Sequence, residues 1–158
     1  MFVLVRHAHA GSKRRWSGPD EERPLSPRGL SQAREIARLL RDVGVTRLLS
    51  SPTVRCRQTL VPASEELWVP IEPVDALGAD ASGEALLDLL SSPGVNGAAL
   101  STHGETLETL AKAWRSSLPA DAVAAVPDLS ATPKGGSWLV EHYDGVRVVV
   151  HLLTKGER

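Results

Sequence analysis

Unbroken apolar runs alternate along the chain with apolar positions at helical spacing. Residues 2–5 are apolar without interruption, as expected of a strand buried on both faces, and residues 98–102 form a second such strand. After Ser26-Pro27, a helix-start signal, apolar side chains recur every three or four positions until Gly44. This alternation predicts a mostly parallel sheet with helices packed on both faces.

The remaining elements follow from the same patterns. We predict further strands at 46–50, 70–74, 137–143 and 146–153, helices at 51–66, 84–90 and 105–116, and loops at 11–24 and 119–136. Asp144-Gly145 is typical of a hairpin turn between the last two strands. The predicted fold class is a three-layer α/β/α sandwich, with residues 1–158 forming a single domain.

Composition narrows the class of protein. Hydrophobic residues make up 42% of the 158, charged residues 23%, and the formal net charge is −1, as in a globular domain without a nucleic-acid-binding surface. Cys56 is the sole cysteine, which excludes an intrachain disulfide. The first residues lack a signal-peptide pattern, and no apolar run approaches the ~20 residues of a membrane span. We therefore expect a cytoplasmic protein with no membrane partner.

Polar residues follow three of the predicted strands. Arg6 and His7 come directly after the first strand, Ser50 and Ser51 close the second, and His103 follows the strand at 98–102. Ligands of such sheets bind outside the carboxyl ends of the strands, so these side chains are expected to meet at one edge.

This set of residues suits chemistry on phosphate. A neutral imidazole such as His7 can attack phosphorus and become phosphohistidine. Arg6 and Arg55 each carry a planar, permanently charged guanidinium group that can donate two hydrogen bonds to phosphoryl oxygens. Arg55 also lies in the first turn of a predicted helix, whose amino end favours anions. His103 would donate a hydrogen bond to the same group. No metal or other cofactor is required, because the arginines and histidines neutralise the charge.

Several neighbouring residues have two interpretations. His9 is either a substrate-facing group or an exposed loop histidine, and Lys13, which opens a basic run ending at Trp16, either recruits an anionic substrate or is simply solvated. Arg57 is interpreted as a surface charge. Cys56 lies between two arginines that could lower its pKa, although a core-facing position is the preferred interpretation.

Four ordered motifs resemble those of the histidine phosphatase superfamily, which has the phosphoglycerate-mutase-like fold. They are Arg6-His7-Ala8, Leu25-Ser26-Pro27-Arg28-Gly29 with Gln32-Ala33, Ser50-Ser51-Pro52 with Arg55 and Gln58-Thr59, and Ser101-Thr102-His103-Gly104-Glu105. The resemblance implies that His7 is the phosphorylated nucleophile and that Arg6, Arg55 and His103 form the phosphate pocket.

The short length and the Arg-His-Ala opening look most like the phosphohistidine-phosphatase-type branch. The stretch His9, Gly11, Ser12 and Lys13 also resembles phosphatase domains fused to Nudix hydrolases, although these 158 residues contain no Nudix segment. A phosphorylated small molecule or a phosphohistidine protein is the expected partner, and the chain is expected to be a monomer or a homodimer.

The sequence departs from the family pattern at the general acid. Many members place a glutamate after the third strand, where this chain reads Val74-Asp75-Ala76-Leu77. Asp75, Glu84 and Glu105 are the candidates, and Glu105 is preferred because it follows His103 closely. The alternative for Glu105 is a helix-start carboxylate that only interacts with the helix dipole.

Three functions are compatible with these residues. The first is a phosphatase that works through phospho-His7 on phosphohistidine or an activated phosphoester. The second is a phosphatase of nucleotides or nucleotide-derived phosphates, for which Lys13 and Trp16 would bind the substrate. The third is a non-catalytic phosphate-binding protein, which would not need all four pocket residues.

Overall fold

A computed structural model describes residues 1–156 and contains one six-stranded sheet. The strands are β1 (Phe2–Arg6), β2 (Arg47–Ser50), β3 (Ile71–Pro73), β4 (Ala98–Thr102), β5 (Ser137–Tyr143) and β6 (Val148–Thr154), in the spatial order β3-β2-β4-β1-β5-β6. The first four run parallel, β5 is antiparallel to β1, and β6 is antiparallel to β5. The predicted mostly parallel sheet is therefore confirmed.

Helices cover both faces of this sheet. They are α1 (Pro27–Asp42), α2 (Val54–Leu67), α3 (Gly83–Leu90), α4 (Gly104–Ser117) and α5 (Ala120–Ala124). Successive strand residues point to opposite faces, so β1 contributes Val3 and Val5 to the core shared with α1 and α2, and Phe2 and Leu4 to the core shared with α3 and α4. This arrangement confirms the three-layer fold.

The ends of α1 follow the predicted chemistry. The Ser26 hydroxyl accepts a hydrogen bond from the amide of Gly29 at 3.1 Å, which satisfies one of the free donors at the helix start. After the helix, Gly44 adopts a φ of +82°, a conformation that a residue with a Cβ rarely takes.

The start of α2 differs from the prediction. Ser51-Pro52 was expected to cap this helix, but Thr53 is the N-cap residue and the helix begins at Val54. Ser51 instead continues the extended path of β2: its amide donates to the carbonyl of Ser101 at 2.9 Å, and its hydroxyl contacts His103. A Ser-Pro pair is equally compatible with an extended residue before a proline, and the strand pairing decides between the two.

The segment 119–136 was predicted to be loop and is partly helical. It contains α5 and a short 3₁₀ turn at Leu129–Ala131. Five residues are too few for a helical repeat to be visible in the sequence. The last hairpin also has a longer turn than expected, because the Asp144 carboxylate accepts hydrogen bonds from the amides of Val146 and Arg147 and delays β6 to Val148.

Over residues 1–156, no helix is both long enough and apolar enough to cross a membrane.

Candidate active site

The two strand-end histidines meet because β1 and β4 are parallel neighbours. Arg6 is in register with Thr102, and the amide of His7 donates to the Thr102 carbonyl at 2.9 Å. The next residue on each strand, His7 and His103, therefore leaves the sheet at the same place. Their ring centroids are 5.6 Å apart, and the rings meet edge to face at 70°.

The His7 ring is held in one tautomer. Its Nδ1 lies 2.8 Å from the carbonyl oxygen of Ala8, which only accepts, so Nδ1 carries the proton and the Nε2 lone pair is left for another group. Burial lowers the pKa of His7 to about 3, against the effect of the Ala8 carbonyl and with a further contribution from the charge of Arg55. His7 is thus a buried, neutral imidazole near neutral pH.

His103 is also buried and fixed by its neighbours. It is the N-cap residue of α4, its Nε2 lies 2.9 Å from the Ser51 hydroxyl, and the sulfur of Cys56 is 3.6 Å from the same nitrogen. Burial and the charge of Arg55 lower the pKa of His103 to about 4, although Glu105 and Asp20 oppose the shift. Ser51 thus contacts a candidate site residue, and the sequence did not reveal this contact.

Arg55 reaches the histidines from the first turn of α2. Its side chain is 8% exposed, and its Nη1 and Nη2 donate to the backbone carbonyl and the carboxylate of Asp20, at 2.7 and 3.1 Å. Thr59, one turn later, accepts from the amide of Ala8 at 3.0 Å, which ties α2 to the segment that follows His7. Arg57, by contrast, is exposed, as predicted.

Arg6 approaches the same region from β1. Its Nη1 donates to the carbonyl of Thr132 at 2.6 Å. A Cβ at Gly104 would lie 2.9 Å from its guanidinium carbon, so glycine at the start of α4 leaves the space that Arg6 occupies. Burial lowers the pKa of Arg6 and the charge of Glu105 opposes this. Within residues 1–156, the Nε atoms of Arg6 and Arg55 are both buried without a hydrogen-bond partner.

A cleft of about 660 Å³ opens beside these residues. Arg55 and His103 lie in its wall, together with the predicted candidates Lys13, Asp75 and Glu105. Glu84 is not part of the described lining, which removes it from contact with the cleft, whereas Asp20, Glu21 and Asp80 are carboxylates in the wall that sequence reasoning missed. They come from loops, where no periodic pattern indicates which side chains face inward.

The structure places His9 at the start of α1 rather than in the described lining of the cleft. Its Nδ1 lies 2.6 Å from the Ser26 hydroxyl, and its amide donates to the Gln32 side chain at 2.8 Å. A Cβ at Gly29 would lie only 1.9 Å from the His9 carbonyl oxygen, so glycine is required at this position. These contacts explain why the Leu25–Gly29 motif accompanies the Arg-His-Ala motif in this chain.

Cys56 is buried, as the preferred interpretation held. Burial raises the pKa of its thiol to about 11, and the opposing effects of Thr53 and the charge of Arg55 do not offset this. The alternative of an activated thiol is wrong. Within residues 1–156, no group of three or more histidine, cysteine, aspartate or glutamate side chains is arranged to hold a metal ion.

Comparison with known proteins agrees with this geometry. Residues 2–79 match the model of the histidine phosphatase superfamily, branch 1. An 8-oxo-(d)GTP phosphatase of Mycolicibacterium smegmatis is 31% identical over 150 residues, or 90% of this chain, and this chain spans only 44% of that relative's length.

Solved structures show the same architecture. The protein from Agrobacterium tumefaciens described as phosphohistidine phosphatase SixA is 28% identical, with a TM-score of 0.72 over 98% of this chain and 97% of its own. A protein histidine phosphatase SixA in complex with tungstate shares the fold at 21% identity, with a TM-score of 0.68 over 94% and 92% of the two chains. The motifs, the fold and these similarities agree, and the chain belongs to the histidine phosphatase superfamily.

Proposed function

We propose that the protein is a phosphatase that transfers a phosphoryl group to His7 and then to water. The observation that carries this proposal is the tautomer of His7. Its Nδ1 is bound to the Ala8 carbonyl, so the lone pair of Nε2 is available for attack, and the low pKa keeps the ring neutral. The adjacent guanidinium of Arg55 and the ring of His103 are suited to hold the phosphoryl oxygens.

Two displacements make up the reaction. In the first, the Nε2 lone pair of His7 forms a bond to phosphorus, and the bond from phosphorus to the leaving atom breaks with its electron pair. In the second, water attacks phosphorus, the N–P bond breaks, and inorganic phosphate leaves. Arg6, Arg55 and one N–H of His103 would stabilise the negative charge on the equatorial oxygens in both steps.

The leaving atom also needs a proton unless it is a good leaving group. Glu105 is our candidate, because it lies in the cleft wall in the first turn of α4, two residues after His103, and its charge acts on both Arg6 and His103. Asp75 lies in the wall of the same cleft and is the alternative. A phosphoimidazole needs this proton less than an alkyl ester does.

We propose phosphohistidine or an activated phosphomonoester as the substrate. The similarity to the protein described as phosphohistidine phosphatase SixA, over nearly the whole of both chains, supports this. The wall of the cleft also carries Asp75, Asp80 and Glu105 close to the pocket, and these carboxylates would repel a polyphosphate chain. In this proposal the protein acts in the cytoplasm as a monomer or homodimer.

A nucleotide-derived phosphate is the second candidate. The similarity to an 8-oxo-(d)GTP phosphatase favours it, and Lys13 contributes a positive charge to the cleft. Trp16, three residues further, is 36% exposed and lines a shallow groove with Arg15, although its indole N–H donates to the Pro19 carbonyl. A base would have to stack on this ring for the second candidate to hold.

One substrate screen separates the two candidates. Turnover is measured with a phosphohistidine peptide, an aryl phosphate, nucleoside mono- and triphosphates and a sugar phosphate. We expect kcat/KM to be highest for the phosphohistidine peptide and the aryl phosphate. A preference for nucleotides that is lost in Trp16→Ala would instead establish the second candidate. Failure to hydrolyse any of these, together with no acid-labile phosphate on His7, would contradict both.

A further inference from the structure

The carboxylate of Asp20 is hydrogen-bonded to Arg55, the residue that we propose as a ligand of the phosphoryl group. Asp20 belongs to a single 3₁₀ turn, Asp20–Glu22, in the loop between β1 and α1. Both its backbone carbonyl and its Oδ2 accept hydrogen bonds from the Arg55 guanidinium, at 2.7 and 3.1 Å. An arginine can use the same two Nη donors to form a bidentate pair of hydrogen bonds with a phosphoryl group. A phosphate bound at Arg55 in the same way would have to replace Asp20.

Three cations surround this carboxylate. Its Oδ1 accepts from Nε of Arg23 at 3.1 Å while Oδ2 contacts Arg55, and the charge of Lys13 acts on it as well. Burial raises the pKa of Asp20, but the hydrogen bond from Arg23 and the charges of Arg55, Arg23 and Lys13 together hold that pKa below its ordinary value. Asp20 is therefore an anion held in a cationic site, as a phosphoryl group would be.

We propose that Asp20 is an internal competitor for the phosphoryl site, bound to Arg55 when the site is empty and displaced toward Arg23 and Lys13 when a phosphoryl group binds. This inference rests on the proposed function, because it takes Arg55 as a phosphate ligand. Since Arg23 already binds the other carboxylate oxygen, the carboxylate keeps one partner after it leaves Arg55. The exchange then replaces one anion by another at Arg55 without leaving a charge unpaired.

Asp20 lies at the end of an exposed stretch of loop, which is compatible with its movement away from Arg55. Its side chain is 35% exposed, and the residues from Ser12 to Pro19 are all exposed. Arg23, whose Nη1 donates to the Ala10 carbonyl at 2.7 Å, holds the far end of the loop in place. The cleft also stops at Arg55 and His103, without His7 or Arg6 in its described lining, so the Asp20–Arg55 contact lies where the phosphoryl group would enter.

Phosphate binding tests the proposal without turnover. Dissociation constants for inorganic phosphate are measured by calorimetry for the unmodified protein, Asp20→Asn and Glu22→Gln. The first variant removes the competing charge and keeps the shape of the side chain. Glu22 is in the same turn but not in the described lining of the cleft, so the second variant is a control for the change in net charge.

We expect Asp20→Asn to bind phosphate roughly 5- to 10-fold more tightly, as expected when one competing ion pair of about 1 kcal/mol is lost, and Glu22→Gln to stay within about twofold of the unmodified protein. Equal affinity in all three proteins, or weaker binding by Asp20→Asn, would overturn the proposal. Absence of phosphate binding by the unmodified protein would instead contradict the role of Arg55 in the proposed function.

Amide hydrogen exchange gives a second readout that a purely structural ion pair would not produce. In the unmodified protein, saturation with phosphate should accelerate exchange in residues 20–23, because the loop loses its contact with Arg55, while exchange around His7 and His103 slows. In Asp20→Asn, exchange at 20–23 should already be fast without phosphate. Protection of this turn by phosphate would show that Asp20 assists binding and would end the proposal.

Discussion

The floor and the mouth of the candidate site are built in different ways. The floor consists of Arg6, His7, Arg55 and His103, which come from strand ends and a helix start. All of them except Arg6 are buried. The mouth consists of side chains from loops and first turns, such as Lys13, Asp75 and Glu105, all of them exposed. Neutral imidazoles and guanidinium groups dominate the floor, and carboxylates outnumber cations in the mouth.

We infer from this difference that the floor carries out catalysis and that the mouth determines which substrates are preferred. The backbone of the sheet fixes the floor, because hydrogen bonds between β1 and β4 position both histidines. The mouth depends on loop side chains, which can change without disturbing the sheet. We therefore expect substitutions in the floor to reduce turnover of every substrate, and substitutions in the mouth to affect substrates unequally.

The largest effect is expected at the nucleophile. His7→Ala should lower kcat by on the order of 10³-fold or more on all substrates, because it removes the covalent route. His7→Asn should also fail to form the acid-labile phosphoprotein, which labelling with a radioactive substrate and acid treatment would reveal. Near-native turnover by either variant would place the nucleophile elsewhere.

Arg55 and Arg57 provide a matched pair on one helix. Arg55→Ala should lower kcat/KM about 10²-fold or more, because it removes a donor to the transferred phosphoryl group. Arg57 is two positions later and exposed, so Arg57→Ala should change kcat/KM by less than about threefold. Steady-state kinetics on an aryl phosphate measures both. Similar losses in the two variants would indicate general electrostatic attraction rather than a specific pocket.

The effect of substituting Glu105 tests whether a residue of the mouth acts unequally on different substrates. If it protonates the leaving group, Glu105→Gln should lower turnover of an alkyl phosphate about 10²-fold and that of an aryl phosphate only a few fold. We expect this unequal pattern, which the ratio of the two kcat values reports independently of protein quality. Small and equal losses on both esters would leave Glu105 as a helix-start carboxylate, and Asp75→Asn would then be the next variant to measure.

The smallest effect concerns stability and pH. His7 and His103, with pKa values lowered to about 3 and 4, stay neutral in the folded protein, whereas both bind a proton in the unfolded chain below about pH 6.5. The unfolded state then holds more protons, so the free energy of unfolding should fall as pH is lowered from 6.5 to 5. His103→Asn removes one of the two groups and should flatten this dependence by up to about 1.4 kcal/mol per pH unit.

Urea titrations at several pH values between 5 and 7.5 would measure this dependence. A slope that is the same in His103→Asn and the unmodified protein would show that His103 is protonated in the folded state. That result would weaken the assignment of a neutral, buried imidazole pair to the floor.

The floor could be predicted from the sequence because three of its four residues lie at the carboxyl ends of predicted parallel strands, which meet at one edge of the sheet. Residues directly after β1 and β4 meet wherever the two strands are parallel neighbours, and apolar residues at 2–5 and 98–100 mark both strands in the sequence. The mouth could not be predicted in the same way. Asp20 contacts Arg55 across 35 positions from an irregular loop, and nothing in the local sequence indicates that this carboxylate faces inward.

Two differences between the predicted and observed elements, at the start of α2 and at α5, also arise from limits of local sequence patterns. Ser51 looked like a helix cap, but pairing of its amide with Ser101 and contact of its hydroxyl with His103 keep it extended. α5 was missed because five residues show no periodicity. In each case tertiary contacts or short length outweigh the local preference that sequence reasoning can use.

The position of β4 in the sheet has a consequence for how the protein folds. β4 lies between β1 and β2, yet it is the fourth strand in the chain, so about a hundred residues must be synthesised before the sheet can close. Until then β1 and β2 have no common neighbour, and His7 lacks both the Thr102 carbonyl and the ring of His103. A nascent chain that ends before β4 therefore leaves one edge of β1 and one edge of β2 without the neighbouring strand, and unpaired apolar edges of this kind promote aggregation.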